Sequence, residues 1–167
     1  QVGLGIHMRH DALGSLPSGW QTVNSHGAPG WGWGARILPF MEQRNVVDQL
    51  INFNQPVCAN ANAEARTLSL NVFLCPSDIG DELFLMEEDP EHGTGAHDHG
   101  FPIDIATANY VGVFGTNDLH HSVHHGSGKG NGVFFKNSEL GLNSISDGLS
   151  NTFFVGERSS RIAPSAW

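Results

Sequence analysis

The segment between Arg66 and Lys129 sets the strongest constraint on how this chain can fold. It contains no lysine and no arginine, yet it holds ten carboxylates and seven of the ten histidines of the sequence. These carboxylates can be offset only by groups elsewhere in the fold, by histidinium or by bound cations. We therefore expect an acidic, histidine-rich loop region at about residues 79–130, and we expect any metal, proton or partner site to lie there.

The overall composition favours one domain over residues 1–167, because 167 residues with 39% apolar side chains can bury a single core. The formal net charge is −9 with only eight basic residues. Phosphate binding requires clustered Lys and Arg, so nucleic acid and anionic membrane surfaces are excluded as partners. No apolar run reaches the roughly 18 residues that a membrane span requires.

Histidines and carboxylates form clusters within the acidic region. His97 and His99 are two residues apart, so on an extended segment both imidazoles lie on the same side. Imidazoles suit Zn or Cu, whereas carboxylates suit Ca. The candidate ligands for a divalent metal are His97, His99, His120, His121, His124, His125, Glu87, Glu88, Asp89 and Glu91. A solvated polar loop that binds no metal is the alternative.

Three segments have the residue pattern of helices. Residues 1–13 have the pattern of a helix end, which Gly14 and Pro17 stop. Residues 37–51 carry apolar side chains near the 3.6-residue period. Because Pro39 is tolerated only in a first turn, this helix should begin near Leu38. A third helix is predicted over residues 60–68, with Asn60 as its N-cap.

Short strands are predicted later in the chain, at residues 72–75, 110–114, 132–136 and 152–157, between Gly, Asn and Asp turn signals. Helices first and strands later is the order typical of an α+β domain. We expect the N-terminal helix end to pack on a small antiparallel sheet that carries long loop insertions.

Three tryptophans, Trp20, Trp31 and Trp33, lie in a glycine-rich stretch with little periodicity. The simplest interpretation is a loop that packs its indoles on the core. Paired indoles also offer flat apolar faces, so a site that stacks a ligand such as a carbohydrate is the alternative.

The two cysteines, Cys58 and Cys75, enclose sixteen residues. A disulfide that closes a loop of this length contributes about 3 kcal/mol. Two buried thiols are the alternative, because spacing alone does not report the redox compartment.

Six segments that occur in order resemble one known family. They are residues 16–17 (LP), 31–43 (WGWGARILPFMEQ), 73–78 (FLCPSD), 109–112 (NYVG), 131–135 (NGVFF) and 146–158 (SDGLSNTFFVGER). Together they span nearly the whole chain and resemble DUF1559, a large planctomycete family of pilin-like proteins.

The resemblance implies a pseudopilin-like fold and an exported protein that is initially held in the inner membrane. In that family a prepilin-type leader and a long hydrophobic helix precede the part that resembles residues 1–17, and a His-x9-Asp-Gly segment frequently follows at the C terminus. Both are missing between Gln1 and Trp167, so we expect a processed or trimmed form. Export would also favour a disulfide between Cys58 and Cys75.

We therefore expect a non-catalytic structural subunit of an extracellular, pilus-like filament or cell-surface assembly. Its partners would be further copies of itself or other pilin-like subunits. An extracellular module that binds a small ligand or a metal is the alternative, with the tryptophans or the histidines as its site. A metal-dependent hydrolase ranks third, because the sequence contains no phosphate-binding loop, Rossmann fingerprint or zincin motif.

Overall fold

The structure, a computed structural model, describes residues 1–23, 28–87, 101–117, 122 and 127–167. Its α-helices in these ranges are α1 (Val2–Leu13), α2 (Trp33–Ile37), α3 (Arg44–Leu50) and α4 (Ala63–Arg66). Its strands are β1 (Trp20–Thr22), β2 (Pro29–Gly32), β3 (Leu83–Met86), β4 (Ile103–Ala106), β5 (Tyr110–Gly112) and β6 (Val155–Glu157). Short 3-10 helices occur at Leu38–Phe40, Asn60–Asn62, Asn71–Phe73, Leu142–Ser144 and Leu149–Asn151.

The predicted helix at the start of the chain is confirmed as α1. Gly14 ends it in the left-handed conformation with a φ of 75°, and its N–H donates to the carbonyl of His10 at 2.7 Å. Glycine adopts this conformation without a Cβ clash, which is why it stops the helix here. Immediately afterwards the Leu16 N–H donates to the carbonyl of Leu140 at 2.7 Å, which ties the end of α1 to a distant part of the chain.

The predicted helix over residues 37–51 is wrong in its extent. Helix α2 begins earlier, at Trp33, and a 3-10 turn at Leu38–Phe40 follows it before α3 begins at Arg44. Pro39 lies inside that turn, where its missing N–H and the clash of its ring with the preceding turn oppose a continuous α-helix. Glu42 then takes a φ of 61°, which changes the chain direction between the two helices.

The prediction for residues 60–68 also needs correction, since a 3-10 turn and the short α4 replace one helix. Asn60 makes no capping bond, because the 3-10 turn has Ala59 at its N-cap position. The structurally important asparagine is Asn62, which is fully buried. Its side chain accepts from the Asn52 N–H at 2.8 Å and donates to the Pro56 carbonyl at 2.9 Å.

The strands form three two-stranded antiparallel sheets, in the pairs β1–β2, β3–β4 and β5–β6. The mixture of helices and small antiparallel sheets confirms the α+β class. The expected order of helices before strands is wrong, because β1 and β2 precede α2. The sequence patterns did not predict β1 to β4.

Two strand predictions are confirmed in part and two are wrong. Strands β5 and β6 fall within the predicted segments 110–114 and 152–157. Residues 72–75 instead overlap the 3-10 turn Asn71–Phe73, which buries the Phe73 ring completely. Residues 132–136 form only an isolated bridge from Lys136 to Trp20, because the N–H groups of Val133 and Phe134 both donate to the carbonyl of Val113.

The loop region predicted at residues 79–130 contains regular structure. Strand β3 pairs with β4 along its whole length, from Leu83 opposite Ala106 to Met86 opposite Ile103. Ile103 and Ile105 are buried, so this hairpin contributes to the core. The segment therefore supplies apolar side chains as well as charges.

The core brings together apolar side chains from both ends of the chain. Trp31 stacks on Trp167 with ring centroids 5.4 Å apart, and Phe73 stacks on Trp167 at 6.1 Å. Trp33 meets Phe73 edge to face at 6.1 Å. Aromatic pairs of this kind contribute about 0.5–1.5 kcal/mol beyond their buried area. The same core receives the inner face of α1.

A candidate assembly surface around the first helix

Helix α1 has apolar side chains on two opposite sides. Val2, Gly5 and Ile6 face the core and are buried. Leu4 is 65% exposed and Met8 is 45% exposed, and the two lie one turn apart on the outer side. The outer side of a surface helix is normally polar. We call Leu4 and Met8 the outer ridge of α1.

A large groove runs along one flank of α1. Its volume is about 640 Å³, which lies in the range of sites for small molecules. The described residues that line it are Gln1, Val2, Gly3, Ile6, His7, Asn71, Val72, Tyr110, Leu149, Thr152, Phe153, Phe154 and Val155. Phe153 is 84% exposed at its edge, an unusual exposure for so large an apolar ring.

A smaller groove of about 240 Å³ lies beside the outer ridge. Leu4 and Met8 form one wall, and Phe40, Met41 and Glu42 form the other. The turn at Glu42 explains this wall, because it separates α3 from the 3-10 turn and leaves Phe40 and Met41 facing α1. The outer ridge therefore stands between two apolar depressions.

The larger groove is lined mainly by apolar side chains. Among the described residues that line the larger groove there is no carboxylate, lysine, arginine or cysteine. Its polar side chains, among them His7, Asn71 and Tyr110, are spread among apolar ones. Such a surface gains free energy mainly by removing apolar area from water.

A polar junction holds β5 and β6, which carry part of the groove wall. The buried Asn109 side chain accepts from the Cys75 N–H at 2.8 Å and donates to the Asp78 carboxylate at 2.5 Å. It also donates to the carbonyl of Arg158 at 3.2 Å, and the Arg158 N–H donates back to the Asn109 carbonyl at 2.7 Å. Three of the segments that carry the family resemblance, 73–78, 109–112 and 146–158, therefore meet at one place.

Asp78 is the negatively charged centre of this junction. Hydrogen bonds from Ser160, from the Ser159 hydroxyl and from Asn109 hold the pKa of Asp78 well below its usual range. The Ser160 N–H donates at 2.9 Å and the Ser159 hydroxyl at 2.9 Å. Because these donors belong to the fold itself, the carboxylate ties distant segments of the chain together.

The structure does not contain the predicted disulfide between Cys58 and Cys75. Cys58 is buried. Its backbone carbonyl accepts a hydrogen bond from the Arg66 guanidinium, as do the carbonyls of the residues on either side. Cys75 is held elsewhere, through its backbone bond to Asn109. The three short helical elements between the two cysteines set these anchor points, which loop length alone could not reveal.

The tryptophans belong mainly to the core, as the simpler interpretation holds. Trp31 and Trp33 are 2% and 7% exposed, so their faces are covered by protein and cannot stack a ligand. Trp20 is half-buried and lies 6.0 Å from the ring of Phe114. The ligand-stacking interpretation is therefore wrong for Trp31 and Trp33.

The predicted metal ligands are nearly all in parts of the chain that the structure does not describe. Glu87 is described, and it is an exposed residue directly after β3. The residues outside the described ranges are Glu88, Asp89, Glu91, His97, His99, His120, His121, His124 and His125. Within the described ranges, no three His, Cys, Asp or Glu side chains are grouped to hold a metal ion. The metal site stays a prediction.

The residues of the larger groove escaped the sequence analysis for a simple reason. His7, Asn71, Tyr110 and Phe153 come from four distant segments, and no motif marks them as neighbours. The two consecutive phenylalanines, Phe153 and Phe154, were the available signal. In a strand one of two successive side chains must face away from the core.

Comparisons with known proteins give one match. The model of a family described as "Protein of unknown function (DUF1559)" matches residues 1–166. No curated protein and no solved structure matches the chain. None of the helices in the described ranges has the length and apolar character needed to cross a bilayer.

Proposed function

The chain belongs to the DUF1559 family of proteins of unknown function, and we propose that it is a non-catalytic structural subunit of an extracellular, pilus-like filament or cell-surface assembly. The observation that carries this proposal is the outer ridge of α1. Leu4 and Met8 remain exposed although α1 already buries its inner face. A second apolar face is useful to a helix that packs against a neighbouring subunit.

The grooves on both sides of the ridge support the same proposal. A ridge and a groove on different parts of one surface can fit together between copies in a head-to-tail contact, which generates rings or open filaments. Burying an exposed Leu or Met side chain contributes about 1.5–3 kcal/mol. Phe153 could add further area at the edge of the larger groove.

The pilin-like character and the cellular location belong to this proposal as well. In a pilin-like subunit α1 would be the end of a longer helix that holds the protein in the inner membrane before assembly. The protein would then be exported and act at the cell surface, with further copies or other pilin-like subunits as partners.

Sedimentation velocity over a range of protein concentrations, with electron microscopy of the same samples, tests the proposal. We expect concentration-dependent oligomers of the wild type. The double variant Leu4→Ser and Met8→Gln should be monomeric with unchanged circular dichroism. Ala12→Ser, an exposed change on the same helix, is the matched control and should assemble like the wild type. A wild type that is monomeric at every concentration would contradict the proposal.

The volume of the larger groove favours a second candidate function, the binding of an apolar small molecule. Titration with an apolar fluorescent probe tests it. Phe153→Ser should weaken probe binding, whereas Ile162→Ser, which changes a residue that is 81% exposed, should not. Equal binding by the two variants would remove the groove as a ligand site.

A further inference from the structure

Arg9 and Arg36 lie on the two helices α1 and α2, which pack on each other. Gly5 of α1 lies against Ile37 of α2, since a Cβ at Gly5 would be 3.7 Å from the Ile37 Cδ1. Arg9 follows Gly5 by one helical turn, on the same side of α1, and Arg36 immediately precedes Ile37. Both arginine side chains are half-buried.

The groups that hold these guanidinium groups are neutral. Arg9 Nη1 donates to the carbonyl of Ser15, and Arg36 Nη2 donates to Oε1 of Gln21. The ring of Phe53 lies 4.7 Å from Arg36 Cζ. The Nε of Arg36 is buried and has no hydrogen-bond acceptor among the described residues. Each guanidinium has five N–H donors, so each can donate to a further acceptor as well.

The charges in this place are unbalanced. Burial, together with the neighbouring charge of Arg9, lowers the pKa of Arg36, and burial lowers the pKa of Arg9. In the described part of the chain the only ion pair joins His10 and Asp11, so no described carboxylate neutralises either arginine. A chain with only eight basic residues and a net charge of −9 thus has two of its arginines on packed helices without a described carboxylate paired to either of them.

We propose that Arg9 and Arg36 form a binding site for an oxyanion, either a phosphate or sulfate ion or a carboxylate. An anion between the two guanidinium groups accepts their remaining N–H donors and removes the repulsion between them. Planar guanidinium groups match the geometry of carboxylate and phosphate oxygens. Gln21 and Phe53 hold Arg36 in place, so little side-chain freedom is lost on binding. This inference is independent of the proposed assembly function.

Thermal melts in increasing inorganic phosphate, with ionic strength held constant by NaCl, test the site. We expect a saturable rise in Tm of about 3–6 °C when phosphate is about tenfold above its dissociation constant. Arg9→Gln should abolish this rise, and Arg36→Lys, which keeps the charge but loses the planar fork, should reduce it. Arg44→Gln on α3 is the matched control, because Arg44 is exposed, and its rise should equal that of the wild type.

Two results would overturn the proposal. One is the absence of a saturable rise in the wild type. The other is an equal rise in the wild type, Arg9→Gln and Arg36→Lys, which would indicate a general effect of phosphate on hydration. If Arg9→Gln does not fold, the phosphate-induced rise in Tm is compared between Arg36→Lys and Arg44→Gln alone. A smaller rise in Arg36→Lys supports the site, and equal rises overturn it.

Sedimentation in phosphate and in acetate then identifies the source of the anion. If a carboxylate of a second copy occupies the site, both salts should dissociate oligomers. If a free ion occupies it, the oligomer distribution should not change.

Discussion

The side-chain amide of Asn109 donates a 2.5 Å hydrogen bond to the carboxylate of Asp78. This bond joins the turn after the Asn71–Phe73 helix to the start of β5. Ser159 and Ser160, which follow β6, also donate hydrogen bonds to the Asp78 carboxylate. One carboxylate thus holds three distant segments in place. Its ionisation should control the stability of this part of the fold.

We expect a pH dependence of stability that comes from Asp78. Its pKa is lowered in the folded state, so its contribution is fully present above the unfolded-state pKa of about 3.9 and is lost as the pH falls towards the folded-state value. Urea unfolding of the wild type and Asp78→Asn as a function of pH checks this. The wild type should be the more stable at neutral pH, and the difference should shrink in acid. A difference that does not depend on pH would show that the charge of Asp78 is not the cause.

Two glycines of α1 offer a matched pair of substitutions. A Cβ at Gly5 would lie 2.6 Å from Met41 Cγ, whereas nothing lies within 4 Å of a Cβ at Gly3. We expect Gly3→Ala to stabilise the protein by up to about 1 kcal/mol through helix propensity. Gly5→Ala should destabilise it by about 1–2 kcal/mol, because overpacking exceeds that gain. Denaturant unfolding measures both, and equal effects would contradict the close approach of α1 to Met41.

Both cysteines should react as thiols. We expect unfolded protein that has never met a reductant to take up two alkyl groups, as measured by mass spectrometry, because the structure contains no disulfide. A reduced and alkylated sample provides the reference mass. If the unreduced sample takes up no alkyl group, Cys58 and Cys75 form the disulfide that the family resemblance favours.

Divalent metal should stabilise the domain through the acidic, histidine-rich segment. With metal about 100 times above its dissociation constant, the free energy of unfolding should rise by about 2.7 kcal/mol. Melts near pH 7.5, where most histidines are neutral, in EDTA, Ca, Zn or Cu measure the effect. Changing His97 and His99 to Ala should weaken the response to Zn or Cu, whereas His7→Ala on α1 is the control. Superimposable melts in all four solutions would leave these histidines without a metal role.

Local signals in the sequence were sufficient for some elements and insufficient for others. The end of α1 was predictable because glycine readily adopts the left-handed conformation that Gly14 takes there. The break before α3 was not, since it depends on a positive φ at Glu42, a residue type that gives no such signal. Residues 72–75 have the composition of a strand, but the Cys75 N–H donates to the Asn109 side chain and not to a neighbouring strand. Local propensity was overruled by a tertiary contact there.

The candidate surface shows the same limit. The sequence motifs include Asp78 and Asn109, but they do not reveal that the two side chains form a hydrogen bond. The tryptophan stretch allowed two interpretations, and the packing of Trp31 on Trp167 decided between them. The outer ridge of α1 was visible only after the structure showed that Val2 and Ile6 take the inner side.

The attachment of α1 to residues near position 140 has a consequence for the order of events during synthesis. The Leu142 N–H donates to His10 Nε2 across 132 positions, and the Ser18 hydroxyl donates to the Ser138 carbonyl across 120. The contacts of this N-terminal region are therefore complete only after residues 138–142 have been synthesised. Contacts between residues so far apart in the sequence slow folding, because a large loop must close before they form. During translation, His10 and Ser18 should therefore lack these partners until residues 138–142 have left the ribosome.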